Sequence, residues 1–142
     1  MNIIQIFITV FIVLETSNVI ALYFFPEAKY ANSVGVFRAW ERSKQDAKTH
    51  DFIKYLVNWV AGTKLIFILL LLVILITADE RTLIFTAIAL VISIASFYWR
   101  LFPLIKKMDK NDQIEPNNYS TVLGWLILAI VLGFIAAIFL SI

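Results

Sequence analysis

The chain reads as an all-α integral membrane protein, a four-helix transmembrane bundle, and three observations point there. Four apolar runs, residues 3–25, 57–78, 83–102 and 119–142, each hold about 20 residues or slightly more, enough for one helix to cross a hydrocarbon core of roughly 30 Å. The hydrophobic fraction is 61%, well above the roughly 45–50% of an ordinary soluble domain. Nine of the twelve Lys and Arg residues fall in the first and third gaps between the runs, with Arg100 two residues inside the end of the third run, and that asymmetry sets an orientation. By the positive-inside rule, the connections 26–56 and 103–118 face the cytoplasm and both termini face out. A single transmembrane domain over 1–142 is expected, because the longest gap of about 30 residues leaves no room for a separate soluble unit. A prokaryotic inner or plasma membrane is the expected location.

The first run begins with Met1 and Asn2, which carry no positive charge, and Phe24, Phe25 and Pro26 form no small-residue cleavage site. It is therefore expected to be a retained helix and not a signal peptide. Near its middle stand Glu15, Thr16, Ser17 and Asn18. Four consecutive polar residues cover most of a helix circumference, so this helix is expected to be substantially buried. Asn18, at i+3 from Glu15, shares its face.

The first gap contains Lys29, Arg38, Arg42, Lys44, Lys48 and Lys54. Within it Phe37 and Trp40 form an apolar edge among charges. That edge is read as a short amphipathic helix on the headgroups, with a solvated connection as the alternative. Phe52, Tyr55, Leu56 and Trp59 recur at helical spacing, so the second helix is expected to begin near Lys48, before its apolar run. Lys64 lies about ten residues into that run, at a depth similar to Glu15. An ionised side chain at the centre of a span costs roughly 2.5–3.5 kcal/mol, so two opposite charges at one depth invite an ion pair. Either the pair fixes helix register, or Glu15 is a proton- or cation-binding group beside Lys64. Asn58 and Gly62 form a polar, close-approach face on the same helix, and the unbroken apolar segment Leu65 to Ile76 is expected to face lipid.

The second gap, Asp79 to Thr82, is short enough to make the second and third helices antiparallel neighbours. The third run carries Ala89, Ser93, Ser96 and Arg100 as a stripe of small residues ending in a cation. Pro103 is expected just past its end, echoing Pro26 after the first helix. The fourth run carries Ala129, Gly133, Ala137 and Ser141, all four apart, a pattern that allows close approach within the chain or between copies. Arg100, beside Tyr98 and Trp99, is read as an interfacial anchor or an anionic headgroup contact, and Trp40 as a second headgroup contact.

No cofactor is expected. The absence of cysteine excludes disulfides, thiol catalysis and thiolate metal sites. The single histidine, His50, lacks companion ligands in the sequence, and Asp109, Asn111 and Gln113 open no calcium loop, because Ile114 stands where glycine is required. Neither metal binding nor nucleic-acid binding is expected. A carboxylate midway along the first of four helices is similar to the small multidrug resistance transporters in Glu15 and in helix count. The long first gap and the lack of glycine between Leu83 and Phe102 depart from that family. The outline of a long cytoplasmic first loop is similar to the membrane glutathione and eicosanoid enzymes, whose Arg, His, Asn and Glu signature is missing. The chain is assigned to neither.

The expected function is a homo-oligomeric transporter or channel-like protein with a polar intramembrane site at Glu15, Asn18, Lys64 and Asn58. The alternative is an accessory subunit of a larger membrane complex with Glu15 and Lys64 as a structural pair. A membrane enzyme ranks third. The expected partners are the lipid bilayer, a second copy or a larger complex, and anionic lipid at the cytoplasmic face.

Overall fold

A computed structural model describes residues 2–141. Met1 and Ile142, the ends of the expected single domain, lie outside the described residues, as does the last residue of the fourth expected span. The elements are α1 (Ile3–Phe24), a 3₁₀ turn (Val34–Val36), α2 (Arg38–Ser43), α3 (Ala47–Thr77), α4 (Glu80–Ala95), α5 (Phe97–Lys110) and α6 (Tyr119–Phe139). Four segments are long and apolar enough to cross a membrane: α1, α3, α4 with α5, and α6. The protein is thus an all-α four-helix bundle of integral membrane type. Among the described residues the one β feature is an isolated antiparallel bridge between Phe37 and Ile114.

Each of the four spanning segments starts where a side chain accepts an orphan backbone N–H. Asn2 and Gln5 form a reciprocal capping box on α1, both bonds 2.9 Å. Asp46 accepts from the Lys48 and Thr49 amides at 3.3 Å to open α3, and Asp79 accepts from Thr82 at 2.9 Å to open α4. On α6, Asn118 sits in the left-handed region and makes no side-chain cap. Asp109 reaches across from α5 instead, accepting from the Ser120 amide at 2.9 Å and its hydroxyl at 2.6 Å.

Two packing centres lie at opposite ends of the bundle. At the end of the α3–α4 turn, Ile4 and Ile8 of α1 meet Leu71 of α3, Leu83 and Ala87 of α4, and Phe134 of α6 in one buried cluster. At the other end, Val36, Ile105, Ile114 and Leu123 form a second. This second cluster joins the two basic connections. The Arg38 amide donates to Gln113 O at 2.9 Å and the Glu115 amide to Val36 O at 2.8 Å, and Lys29 bridges to Glu115 at 2.9 Å.

Between these ends α1 packs along α3, α6 packs along α4, and α1 and α6 join the two pairs. The expected α3–α4 neighbour pair is corrected here. The two helices share a tight turn but do not pack along their lengths, because α1 occupies the place between them at the turn end and they diverge beyond it. Pro103 is likewise corrected: it lies inside α5, which runs on to Lys110. A proline within a helix costs about 3 kcal/mol, but burying Ile105 beside Val36, Ile114 and Leu123 offsets that loss. The likeness to Pro26, which does follow its helix, therefore ends there.

The stripe Ala89, Ser93 and Ser96 is exposed and is no helix contact. The Ser96 hydroxyl satisfies itself on Ser93 O at 2.6 Å, and the packing face of α4 is Leu83, Ala87 and Leu90. On α6 the small stripe works within the chain. A Cβ at Gly133 would come within 2.5 Å of the Phe7 ring, and Ala137 is fully buried. On α1 the hydroxyls of Thr16 and Ser17 bond back to Ile12 O and Val13 O at 2.7 and 2.9 Å, so Ser17 can stand on an exposed stripe with Val10, Val13 and Ile20. The apolar segment of α3 is mostly exposed, with Ile68 and Leu71 turned inward.

Gly35 marks the tightest point of the first connection. Its amide donates to Pro26 O at 2.7 Å, and an added Cβ would collide with the backbone carbonyl of Glu27. Gly35→Ala should therefore displace the connection and lower stability by about 1–3 kcal/mol, read as a lower unfolding temperature in detergent. Glu27 and Glu115 are held below the ordinary carboxylate range, chiefly by hydrogen bonds from Lys44 and Lys29. Carboxylates lowered on folding stabilise above their unfolded values and lose that effect as pH falls through the lowered ones. Amide protection over residues 26–37 should accordingly hold near neutrality and weaken below about pH 4, with added salt acting in the same direction.

Candidate functional site

The divergence of α3 from α4 and α5 leaves a cavity of 860 Å³ on the connector side of the bundle. Its walls are apolar over most of their area and include Phe11 and Leu22 of α1, Val60 and Phe67 of α3, and Leu101 and Leu104 of α5. Val60, Leu101 and Leu104 are 51%, 60% and 55% exposed, so the cavity opens sideways, toward the position of the bilayer. Its volume lies in the upper part of the roughly 300–1,000 Å³ range of small-molecule sites.

One polar cluster interrupts this lining. The Lys64 ammonium lies 2.7 Å from Glu15 Oε2 and donates to Asn18 Oδ1 at 2.6 Å. Helical rise places Glu15 about 18 Å from the start of α1 and Lys64 about 20 Å from the end of α3, so the antiparallel pair meets at one depth. The i, i+3 spacing of Glu15 and Asn18 sets both on the face of α1 that meets α3. Gly62, two residues before Lys64 on α3, lets that helix approach Tyr23, whose hydroxyl would stand 3.3 Å from an added Cβ.

Asn18 is 7% exposed and fully engaged. Its Nδ2 donates to Ala31 O at 2.6 Å and to Asn32 O at 3.0 Å. The amide has only one orientation that works, since an ammonium must meet the oxygen and carbonyls must meet the nitrogen. Ala31 and Asn32 are consecutive left-handed residues, with φ of 53° and 52°, a conformation costing about 1–2 kcal/mol per residue. The Asn18 amide holds the two carbonyls that this backbone presents. The chain of contacts then passes from Asn32 Oδ1 to the Tyr119 hydroxyl, which donates to it at 2.8 Å. Glu15, Lys64, Asn18, the first connection and the start of α6 are thereby coupled.

The structure brings three of the expected site residues together and separates the others. Asn58 is exposed on α3 and is not part of the cavity lining. Arg100 is exposed on α5, its guanidinium 5.5 Å from the centroid of Trp99. Trp40, expected at the headgroups, is 3% exposed. It packs inside the first connection, 4.7 Å from the His50 ring between centroids, because α2 folds back onto α3. The Ser43 hydroxyl lies 2.7 Å from Trp40 O and 2.8 Å from His50 Nδ1, joining α2 to the start of α3. His50 thus braces the connection. Ser93, Ser96 and Thr63 line the cavity although their hydroxyls carried no distinct sequence signal.

Compared with protein-family models, curated proteins and solved structures, the chain matches none.

Chemically, the cluster offers a cation that is only partly engaged. An ammonium has three donor hydrogens, and the contacts to Glu15 and Asn18 use two. Lys64 and Glu15 retain side-chain exposures of 29% and 25%, so both can meet a molecule in the cavity. Lys64→Met should leave the Glu15 carboxylate without its partner against an apolar wall. The expected loss is about 2–4 kcal/mol, set slightly below that for a fully buried pair. Glu15→Gln combined with Lys64→Met should recover much of it, and a double-mutant cycle of detergent unfolding measures that coupling.

Proposed function

We propose that this chain is a small transporter whose substrate site is the cavity wall formed by Glu15, Lys64 and Asn18. The observation that carries the reading is the position of the ion pair. A pair serving only to fix register would be sealed between packed helices, whereas this one lines an 860 Å³ space open on the bilayer side. Lys64 is the cation and Glu15 the carboxylate of that lining. A proton on Glu15 would weaken its hold on Lys64 and free the ammonium for an anionic or hydrogen-bond-accepting group. Proton occupancy of Glu15 and substrate occupancy of Lys64 would then be linked.

The turn end of the bundle is closed by Ile4, Ile8, Leu83 and Phe134. Passage across the bilayer therefore requires that end to part, and a homo-oligomer with open sides facing each other would supply the missing wall. A second reading, an accessory subunit, draws on the same opening, because a partner's helix could lie between α3 and α5.

The two readings differ in what Glu15→Gln does. For a transporter, purified protein in vesicles with a trapped pH-sensitive dye should conduct protons, and Glu15→Gln, whose amide oxygen can still accept from Lys64, should abolish that flux while the protein stays folded and assembled. Equal flux from the variant would sink the transporter reading. For an accessory subunit, Glu15→Gln should instead weaken capture of the larger complex, and removing Lys64 as well should restore it.

A further inference from the structure

We infer that the lateral cleft seats an anionic phospholipid, its chains along the apolar walls and its phosphate at Arg100 and Lys107. This deepens the transporter reading and rests on it, since it names the substrate class of the same cavity.

Helix α5 carries Arg100, Lys106, Lys107 and Lys110 against one carboxylate, Asp109, and Asp109 is engaged by the Ser120 amide and hydroxyl. Among the described residues the salt bridges use Lys29, Lys44 and Lys64, so none of the four cations on α5 is neutralised by an acidic side chain. Arg100, Leu104 and Lys107 stand at i, i+4 and i+7, one stripe of the helix, and Leu104 lines the cleft. Arg100 and Lys107 are exposed and do not themselves line the cleft, but they flank Leu101, Leu104 and Met108, which do. Ser96, one turn before Arg100, also lines the cavity and adds a hydroxyl on the same side.

Depth agrees with charge. Arg100 lies 20 residues beyond Glu80 at the start of α4, about 30 Å along the helix, which is the full hydrocarbon thickness. Lys64, about 20 Å from the end of α3 that shares the α4 turn, is roughly 10 Å deeper. A phosphate at Arg100 and Lys107 thus sits at the interface while its chains reach the apolar walls near Phe67 and Phe11. Trp99 under the Arg100 guanidinium, at 5.5 Å, anchors the arginine at the level where indoles sit in a bilayer. The two connections and Arg100 together hold ten of the chain's twelve cations on this side, and the positive-inside rule assigns them to the cytoplasmic leaflet, where anionic lipids provide the complementary charge. From Arg100 the next cation inward is Lys64, held by Glu15 at 2.7 Å, so the phosphate stays at the interface and the ion pair meets the deeper part of the bound lipid.

The experiment is native mass spectrometry of the full chain, delipidated and offered equal amounts of phosphatidylglycerol and phosphatidylcholine. The wild type should retain phosphatidylglycerol preferentially. Arg100→Gln with Lys107→Gln should reduce that preference by about five-fold per cation removed, the equivalent of about 1 kcal/mol each. Lys48→Gln with Lys54→Gln, which removes two cations away from the cleft, should leave it unchanged. Val60→Trp, which fills the cleft and keeps the cations, should also lose the lipid. Equal retention of the two lipids, an equal loss from the Lys48 and Lys54 pair, or full retention by Val60→Trp would each overturn the proposal. Flux through Glu15 is measured separately. Loss of flux in Glu15→Gln together with indifferent lipid retention would overturn the substrate class and leave the transporter reading standing.

Discussion

An ammonium group deep in a hydrocarbon layer has to find its acceptors inside the protein, and the arrangement of this bundle follows from how Lys64 finds them. One acceptor, Glu15, neutralises its charge, and the other, Asn18, passes the interaction on to the backbone of Ala31 and Asn32. Each contact constrains a different part of the molecule. The first fixes the register of α1 against α3, because only one axial setting puts the two charges at the same depth. The second ties the bundle interior to the first connection and holds two left-handed residues in place. A single polar cluster therefore couples helix packing to loop conformation.

The same pairing leaves the bundle open. Because α1 is drawn against α3 and α6 against α4, the four spans make two packed pairs joined firmly at the turn end. Beyond that point a cavity separates α3 from α5. The connector cluster of Val36, Ile105, Ile114 and Leu123 closes the far end, so the opening is lateral and bounded. This cavity is apolar over most of its wall, with the Glu15–Lys64 ion pair set into it.

Much of this was legible in the sequence. The four spans, the early start of α3 and the common depth of Glu15 and Lys64 follow from hydropathy and helical rise. The two basic connections do meet at one end, as their charge requires. What the sequence did not reveal depends on which faces pack. Four polar residues on α1 looked as though they needed burial, but Thr16 and Ser17 satisfy their hydroxyls on their own helix. Pro103 looked like a helix end, and buried Ile105 outweighed it. Trp40 looked like a membrane anchor, yet α2 turns it inward onto His50. Serines at 93 and 96 looked like a close-packing stripe and instead line open space. A short turn fixes that two helices are adjacent at the turn, but not that they remain in contact, and the cavity arises from that difference.

The central claim is that α3 and α5 stand apart on the connector side, with Glu15 and Lys64 on the cavity wall between them. The chain contains no cysteine, so spin labels can be placed cleanly by Val60→Cys and Leu104→Cys, and pulsed electron resonance in bilayers reads the separation directly. The account predicts a separation well beyond the roughly 8–10 Å between axes of packed helices, shortening little when Glu15 and Lys64 are intact. A distance distribution centred on packed contact would contradict it, because the cavity would then not exist in the membrane.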